Sequence, residues 1–399
     1  MNSSTRSAKR PLLSTVLAVA LSVTACSSGS SPQVNLDGAV PTPPAGDDRG
    51  AIVSSEVFET DYQPLAGAAL RKVLYKSTSG IDGTEKTVSA VVVVPSSAPP
   101  QGGWPVVVYG HGTTGIKPEC GPSNDPTLMG GAAAAAVLAS KGYITVLPDY
   151  QGLGTVQAGD IHPYLEPNTA GHNMIDAARA ARYLVPNTST RWVAYGASQG
   201  GQAAWAANEL SSTYGTGLDL VGAVALSPIT DATGLVDAAV AGTLTGAQKL
   251  VMPMLLETLA ESDPTIELGD YIHGEALAKK DLLTTCLNVN PEAIDAVGRQ
   301  IYALDFAPST PESETALRTV LTERALPKTP TQAPMLVIYG DEDDTVLPAW
   351  TTASVAEACA KGDIIESILQ PGKGHAVDPT PSVDFLAERF AGASPTNSC

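Results

Sequence analysis

Short apolar segments alternate with helical segments along most of this chain, and this alternation limits the fold more than any other feature. Two early segments, at residues 70–76 and 88–94, alternate more between polar and apolar side chains than the later ones do, as an antiparallel sheet edge would. The later segments are mostly short continuous apolar runs, typical of strands covered by helices on both faces. They lie at residues 105–109, 144–147, 192–195, 221–226, 335–339 and 364–369. The pattern predicts an α/β fold with a mostly parallel sheet flanked by helices.

Helices are expected between these strands. They lie at residues 131–141, 173–184, 199–211 and 382–390. One interval, at about residues 231–330, has no convincing strand and contains three helical patterns. These patterns lie at residues 247–262, 291–304 and 311–324. We interpret the interval as a helical cap inserted over the sheet.

A candidate nucleophile follows the apolar strand at residues 192–195. Residues 196–200 read Gly-Ala-Ser-Gln-Gly, a match to G-x-S-x-G, and an alanine-rich helix begins at Gln199. A sharp strand-to-helix turn exposes the serine and requires glycines where side chains would collide. The bare pattern is weak, but its position between a strand and a helix favours Ser198 as a nucleophile over a structural turn.

The residues that would activate Ser198 are expected late in the chain, in the order acid and then histidine. Of the five histidines, only His375 follows an acid that ends a strand, and it lies in a glycine-containing loop. Asp343 is the third residue after Gly340, where the preceding apolar strand ends. We therefore expect a Ser198, Asp343 and His375 triad; the alternative for His375 is an exposed loop histidine.

Three other carboxylates surround Asp343, namely Asp341, Glu342 and Asp344. Asp341 and Asp344 are alternatives for the acid. The three together could bind a cation, but solvated loop charges are the simpler interpretation. Ester cleavage by a triad requires neither a metal nor a cofactor, and we expect none.

A glycine-rich turn, Gly-His-Gly-Thr-Thr-Gly, occupies residues 110–115 directly after a predicted central strand. This type of fold places one backbone donor of the oxyanion hole there, and the second follows the nucleophile. We expect the N–H groups of Thr113 and Gln199 to fill these roles and His111 to order the turn. Taken alone, the turn could equally have no catalytic function.

The first residues read as an export signal. Three basic residues precede an apolar run at residues 11–23, which is too short to span a bilayer comfortably, and small residues lead to Cys26. This pattern predicts a lipoprotein-type signal peptide over residues 1–25, acylation of Cys26 and attachment to the cell envelope through a lipid anchor. The alternative is a plain secretory signal cleaved near Ala25, which would give a secreted protein.

Residues 26–50 are rich in Ser, Gly and Pro and lack apolar periodicity. Such a segment cannot recover the entropy lost on ordering, so we expect a flexible linker. The catalytic domain is then expected over residues 51–399.

The chain carries 23 Lys+Arg and 41 Asp+Glu, a formal net charge of −18. A field of this sign repels phosphate backbones, so we expect no nucleic-acid partner. The charge does not bear on the fold, and acidity is common among exported proteins for solubility.

Four cysteines remain beyond the signal, and an even number in an exported chain predicts two disulfides. Four cysteines allow three pairings, and the sequence does not choose among them. Our working hypothesis pairs Cys359 with Cys399, which would tie down the C-terminal segment, and Cys120 with Cys286.

These residues together resemble the secretory lipase family of the α/β-hydrolase superfamily, over roughly residues 55–395. Residues 148–154, Pro-Asp-Tyr-Gln-Gly-Leu-Gly, are similar to that family's Pro-Asp-Tyr-x-Gly-Leu turn, and His-Pro-Tyr-Leu at 162–165 is similar too. The resemblance implies an α/β-hydrolase fold with a cap over an acyl-binding pocket. It also favours the two disulfides named above. Members are usually secreted free, and the apparent lipid-anchor signal departs from that.

The expected function is hydrolysis of a small-molecule or lipid carboxylic ester through an acyl-enzyme. One alternative is an envelope acyltransferase that uses the same triad; another is a non-catalytic lipid-binding lipoprotein. In the cap, the apolar residues 250–256 could form a flexible wall for an acyl chain. Their alternative role is to form the cap's own core.

Overall fold

The structure is a computed structural model that describes residues 38–399. The signal peptide expected over residues 1–25, the acylation site at Cys26 and most of the expected linker lie outside the described residues. Within residues 38–399, no helix is both long enough and apolar enough to cross a membrane.

The described residues contain one sheet of nine strands, in the order β1-β2-β3-β5-β4-β6-β7-β8-β9. The strands are Ile52–Val57 (β1), Ala69–Thr78 (β2), Glu85–Val94 (β3), Trp104–Gly110 (β4), Ile144–Pro148 (β5), Thr188–Ala197 (β6), Asp219–Leu226 (β7), Met335–Gly340 (β8) and Ile365–Gln370 (β9). Pairing is antiparallel from β1 through β5 and parallel from β5 through β9. The expected mixed sheet, with an antiparallel edge on a parallel centre, is confirmed.

Residues 38–399 also contain eleven α-helices. They are Gly131–Ser140 (α1), Pro167–Leu184 (α2), Gln199–Leu210 (α3), Gly234–Val240 (α4), Gly246–Ser262 (α5), Gly274–Ala278 (α6), Lys280–Leu283 (α7), Pro291–Gly298 (α8), Pro311–Glu323 (α9), Pro348–Ala360 (α10) and Thr380–Ala391 (α11). Five of these helices, α1, α2, α3, α10 and α11, pack on the sheet. Alternate residues of a strand point to opposite faces, so neighbouring residues of one strand contact helices on different sides. Val106 of β4 shares an apolar cluster with Met174 of α2 and Ala203 of α3. Its neighbour Val107 packs instead with Leu138 of α1 and Phe385 of α11.

The order of the central strands creates a crevice at one edge of the sheet. The chain passes from β4 to β5 on one side, and then back to β6 on the other side of β4. The loops after β4 and β6 therefore separate beyond the carboxyl ends of these strands, and open α/β sheets bind ligands at such a switch point. Residues 110–115 and Ser198 both lie at this edge.

Helices α4–α9 lie between β7 and β8 and form the cap. The cap has an apolar core of its own, which includes Met252, Leu256 and Phe306 and continues into Tyr164 and Val346 of the sheet domain. These helices occupy residues 234–323.

A disulfide and an ion cluster attach the cap to the sheet domain. Cys120 bonds to Cys286, with their Cα atoms 5.0 Å apart. Glu257 of α5 pairs with Lys117 of the sheet domain and, at 2.6 Å, with Lys280 of the cap. The Cys120–Cys286 disulfide and the Glu257–Lys117 ion pair both join segments that are far apart in the sequence.

The C-terminal segment covers the free edge of β9. The Ser398 N–H donates to the Ile365 carbonyl oxygen at 2.7 Å, and the Ile365 N–H donates to Asn397 Oδ1 at 3.3 Å. A disulfide between Cys359 and Cys399 fastens this segment, with Cα atoms 5.3 Å apart. Both hypothesised cysteine pairs are therefore formed.

At the other end of the described chain, the last residues of the expected linker 26–50 contact the sheet domain. The Arg49 guanidinium lies 4.5 Å above the centre of the Tyr214 ring. The Gly50 N–H donates to the Lys76 carbonyl oxygen at 2.8 Å. The folded domain thus includes residues just before Ala51.

Candidate active site

Ser198 occupies the turn between β6 and α3 in a backbone conformation that L-residues rarely adopt. Its φ is +56° and its ψ is −117°, and its N–H donates to the Leu226 carbonyl oxygen at 2.8 Å. A Cβ on Gly200 would overlap the Gly110 carbonyl oxygen, and one on Gly196 would overlap the Gly200 backbone. The two glycines of G-x-S-x-G are thus required for close backbone contact, as expected. Strain of this kind is concentrated at functional sites.

Asp343 and His375 are in direct contact. Asp343 follows β8, is 3% exposed, and its Oδ2 lies 2.8 Å from His375 Nδ1. Because a carboxylate only accepts, Nδ1 carries the hydrogen, and the lone pair of the neutral ring is then on Nε2. The candidate base is therefore held in the tautomer that can accept a proton at Nε2.

The loop after β9 brings His375 over the end of β8. A Cβ on Gly340 would overlap the carbonyl oxygens of Lys373 and Gly374, so this loop folds tightly across the strand end. Asp341 stabilises the same loop, because its Oδ1 accepts from the Gly372 N–H at 2.6 Å. A single strand, β7, separates β6 from β8, so the strand ends that carry Ser198 and Asp343 are roughly 10 Å apart.

The hydrogen bonds of residues 38–399 join His375 to Asp343 but include none between Ser198 Oγ and His375. Nucleophile–base hydrogen bonds are often long in ligand-free enzymes and shorten in the substrate complex. Both side chains are half-buried. The structure thus forms one of the two expected triad contacts, and places the third residue at the same sheet edge.

The turn at residues 110–115 passes beside the candidate nucleophile. A Cβ on Gly112 would lie 3.8 Å from the Ser198 Cβ. Within the described chain, neither the Thr113 N–H nor the Gln199 N–H donates a hydrogen bond to protein. The two backbone groups expected to bind an oxyanion therefore have their hydrogens available.

His111 fixes the peptide that carries the Thr113 N–H. Its Nδ1 lies 2.6 Å from the Gly112 carbonyl oxygen, and its Nε2 lies 3.2 Å from the Asp149 carbonyl oxygen. A carbonyl oxygen only accepts, so the shorter contact assigns a hydrogen to Nδ1. Burial lowers the pKa of His111, and its hydrogen bonds to the Gly112 and Asp149 carbonyl oxygens oppose that shift. Because a trans peptide is planar, holding the Gly112 C=O also sets the direction of the Thr113 N–H.

Asp149, which belongs to the Pro-Asp-Tyr motif at residues 148–154, is a fully buried carboxylic group beneath this turn. Its oxygens accept from Ser89 Oγ at 2.5 Å and from the Ser123 N–H at 2.8 Å. Burial raises its pKa, and the hydrogen bonds of Ser123 and Ser89 oppose that shift. Asp149 fastens the 148–154 turn to β3.

The structure also bears on two alternatives that the sequence leaves open. Met252 and Met254, at 1% exposure each, and the fully buried Leu255 and Leu256 belong to the cap's core. These four residues of the 250–256 segment therefore form part of the cap's own core and not an exposed wall for an acyl chain. For the alternative cation site, no group of three or more His, Cys, Asp or Glu side chains among residues 38–399 could hold a metal ion.

The nine-stranded sheet, the covering helices and the strained serine at the switch point define an α/β-hydrolase. The family model described as secretory lipase matches residues 131–398. The chain belongs to the secretory lipase family. Family membership and the two disulfides indicate an exported protein.

Solved structures share the fold. Candida antarctica lipase A in its closed state has a TM-score of 0.71 at 18% identity, over 88% of this chain and 84% of that one. The rice cell wall degrading esterase LipA from Xanthomonas oryzae has a TM-score of 0.64 at 21% identity, over 86% of this chain and 96% of that one. At these identities the likeness establishes the fold alone.

A curated relative from Mycobacterium tuberculosis is named as a probable inactive lipase. It is 29% identical to this chain over 211 residues, which cover 47% of this chain and 44% of the relative. The match thus spans less than half of that protein. Because its name describes loss of activity, catalysis by the present chain requires a direct test.

Proposed function

We propose that this protein is a serine hydrolase of carboxylic esters, with Ser198 as nucleophile, His375 as general base and Asp343 as the group that orients the base. The observation that carries the proposal is the 2.8 Å contact between Asp343 Oδ2 and His375 Nδ1 at the sheet edge that also bears Ser198. That contact requires residues 32 positions apart, on loops after two different strands, to meet.

In the proposed mechanism, His375 Nε2 accepts the Ser198 proton as Oγ attacks the ester carbonyl. The N–H groups of Thr113 and Gln199 then bind the oxyanion of the tetrahedral intermediate. His375 returns the proton to the leaving alcohol, and Asp343 stabilises the imidazolium formed in between. Loss of the alcohol leaves the acyl group esterified to Ser198 Oγ. Water then gives a proton to His375 Nε2 and attacks this ester, and the Ser198 Oγ bond breaks as His375 returns the proton to Oγ, so that the acid is released without a metal or a cofactor.

The decisive test is turnover of p-nitrophenyl butyrate by Ser198→Ala. We expect a loss of at least about 10³-fold in kcat, because the nucleophile is removed while the fold is kept. The matched control, Ser140→Ala, changes an exposed serine on α1 and is expected to keep wild-type turnover. Retained turnover in Ser198→Ala would refute the proposal.

Two further measurements separate this function from its rivals. A fluorophosphonate probe should label the wild type and not Ser198→Ala; absence of wild-type labelling would favour a non-catalytic lipid-binding protein. Product analysis with a competing alcohol acceptor should give free acid; a predominant new ester would identify an acyltransferase.

We also propose that Cys26 carries a lipid anchor that holds the enzyme at the cell envelope. The support is the position of this cysteine directly after the apolar run and small residues of the export signal. Labelled palmitate should be incorporated into the wild type and not into Cys26→Ala. A soluble, unlabelled wild-type protein would instead indicate a plain secretory signal.

A further inference from the structure

The two groups expected to bind the oxyanion lie on separate parts of the chain. Thr113 follows β4, whereas Gln199 begins α3 after β6. An oxyanion hole stabilises the developing charge only when both donors are held at a fixed distance from the same point. A link between these two residues is therefore a structural requirement of the proposed function.

The side chain of Thr113 is held by Tyr164. Its Oγ1 lies 2.7 Å from the Tyr164 hydroxyl oxygen, and Tyr164 is 1% exposed. Tyr164 is buried and Thr113 is half-buried, so solvent reaches this hydrogen bond from one side only and competes with it less than at an exposed position. The hydroxyl pair fixes the side chain on the residue whose N–H is the first candidate donor.

The side chain of Gln199 is held by His162, two residues before Tyr164. His162 Nδ1 lies 2.8 Å from the Gln151 carbonyl oxygen, so Nδ1 must carry a hydrogen. Burial lowers the pKa of His162 to about 4, which keeps the ring neutral and leaves a lone pair on Nε2. Gln199 Nε2 lies 2.9 Å from that nitrogen and donates to it. The His162 tautomer with its hydrogen on Nδ1 is thus consistent with a Gln199 amide that directs its NH2 group toward His162 Nε2.

The segment 162–164 is itself held firmly. The Tyr164 N–H donates to the His162 carbonyl oxygen at 2.8 Å, and Pro163 between them has a fixed φ. The Tyr150 ring lies between two histidines, with centroid distances of 4.5 Å to His111 and 6.3 Å to His162. The buried rings of His111, Tyr150 and His162 therefore pack in a row, and this row supports the turn at residues 110–115.

We propose that His162 and Tyr164 are positioning residues that hold the two oxyanion donors in register, His162 through Gln199 and Tyr164 through Thr113. The inference rests on the proposed function, because it assigns a role within the same site. Neither side chain contacts the reacting atoms in this arrangement; each acts through a residue whose backbone N–H does.

The first experiment removes the Tyr164 hydroxyl in Tyr164→Phe. Loss of an oxyanion donor costs about 10²–10³-fold in kcat, and loss of its positioning alone should cost about tenfold. We expect kcat and kcat/KM to fall together with KM unchanged, as for an interaction made only in the transition state. The matched control is Tyr271→Phe, which removes a buried hydroxyl that donates to the Ser313 carbonyl oxygen at 2.9 Å inside the cap.

A double-substitution cycle identifies the hydrogen bond itself. Thr113→Val keeps the backbone N–H but removes the partner of the Tyr164 hydroxyl. If the pair acts as proposed, Tyr164→Phe adds less than a twofold loss in the Thr113→Val background. Independent, multiplying losses would overturn the inference for Tyr164.

The second experiment compares two substitutions of His162. His162→Gln keeps a side-chain acceptor that can reach Gln199, whereas His162→Leu keeps the volume and removes both hydrogen bonds. We expect kcat to fall at least tenfold in His162→Leu, and kcat of His162→Gln to be at least threefold higher than that of His162→Leu. Urea unfolding midpoints of the two variants should be equal, so that the difference in kcat does not reflect a difference in stability. Equal kcat in the two variants would overturn the positioning role.

Ser198→Ala, assayed in parallel, separates this inference from the proposed function. Loss of turnover in Ser198→Ala together with wild-type kcat in Tyr164→Phe overturns the positioning role alone. Equal kcat losses in Tyr164→Phe and Tyr271→Phe would also overturn it, because a general packing defect then explains both. Retained turnover in Ser198→Ala overturns both proposals.

Discussion

Asp343 directs its two carboxylate oxygens toward different partners. Oδ2 faces His375 Nδ1 at 2.8 Å, while Oδ1 accepts from the N–H groups of Thr345 and Val346, each at 2.9 Å. The backbone of the loop after β8 thus fixes the plane of the carboxylate that contacts the histidine. A carboxylate held in this way can orient an imidazole without moving during the reaction.

Asp343→Asn is expected to lower kcat by about 10³–10⁴-fold, because an amide at this position favours the wrong imidazole tautomer. Asp344→Asn is the control, since it changes an exposed neighbour that makes no side-chain contact with His375. Steady-state kinetics on p-nitrophenyl esters give the comparison. Similar kcat values in the two variants would show that Asp343 is not the catalytic acid.

Gly200→Ala should lower the free energy of unfolding by about 3 kcal/mol or more. The new Cβ would overlap the Gly110 carbonyl oxygen, and a backbone atom cannot move away as a flexible side chain can. Gly246→Ala is the matched control: its Cβ would meet no atom within 4 Å, at the start of α5. Urea unfolding monitored by circular dichroism measures both. An unchanged midpoint for Gly200→Ala would contradict the close packing of α3 on β4.

The cap also contacts the turn that carries Thr113. The Leu287 N–H donates to the Thr114 carbonyl oxygen at 2.9 Å. A Cβ on Gly115 would lie 3.1 Å from the Cys286 Cα, so the disulfide-bonded cap segment packs directly on the turn. Loss of this disulfide should therefore affect catalysis as well as stability.

Removing either disulfide should lower the free energy of unfolding by about 2–4 kcal/mol, because the unfolded chain gains entropy. Only the double substitution Cys120→Ser and Cys286→Ser should also lower kcat, by about threefold or more, since this bond adjoins the oxyanion turn. Cys359→Ser with Cys399→Ser serves as the comparison, because its bond lies at the β9 edge. Equal kcat in the two double variants would show that the Cys120–Cys286 bond does not contribute to catalysis.

The buried His162 should make stability depend on pH. Its pKa in the folded protein is lowered by burial to about 4, against about 6.5 when unfolded, so the unfolded chain binds the extra proton between these values. The free energy of unfolding should therefore fall by about 3 kcal/mol as the pH drops from 6.5 to 4. Urea titrations at pH 7 and pH 4.5 should show a smaller drop for His162→Gln than for wild type. The same drop in both proteins would exclude His162 as its source.

Much of the fold could be predicted from sequence, because apolar runs reveal strands that are buried on both faces. The eight expected strands are present, but the sequence pattern does not indicate β1, because Ile52–Val57 is an edge strand with mostly exposed side chains and no clear apolar pattern. Helix α10, Pro348–Ala360, is not indicated either, since its small and β-branched residues give little helical periodicity.

Helix boundaries were less predictable than strands. Helix α2 begins at Pro167, six residues before the predicted start at 173, because the Glu166 side chain caps it by accepting from the N–H groups of Asn168 and Thr169. The helix expected over residues 291–304 ends at Gly298. Both differences depend on polar contacts and packing, which hydrophobic periodicity does not report.

The candidate triad follows from chain order and strand ends, which are local features. The roles of Tyr164 and His162 could not be predicted in the same way. Their partners, Thr113 and Gln199, are 51 and 37 residues away along the chain, and only the folded sheet brings each pair together. The motif at residues 162–165 marked the segment without revealing its contacts.

The segment Asn397–Cys399 has a consequence for behaviour in solution. A free β-strand edge exposes unpaired N–H and C=O groups, to which a strand of another molecule can bind. Here Ser398 and Asn397 occupy part of that edge on β9, and the disulfide to Cys359 retains them. A reducing environment would release this cover and leave β9 open to self-association, so preparations kept oxidised should resist aggregation better.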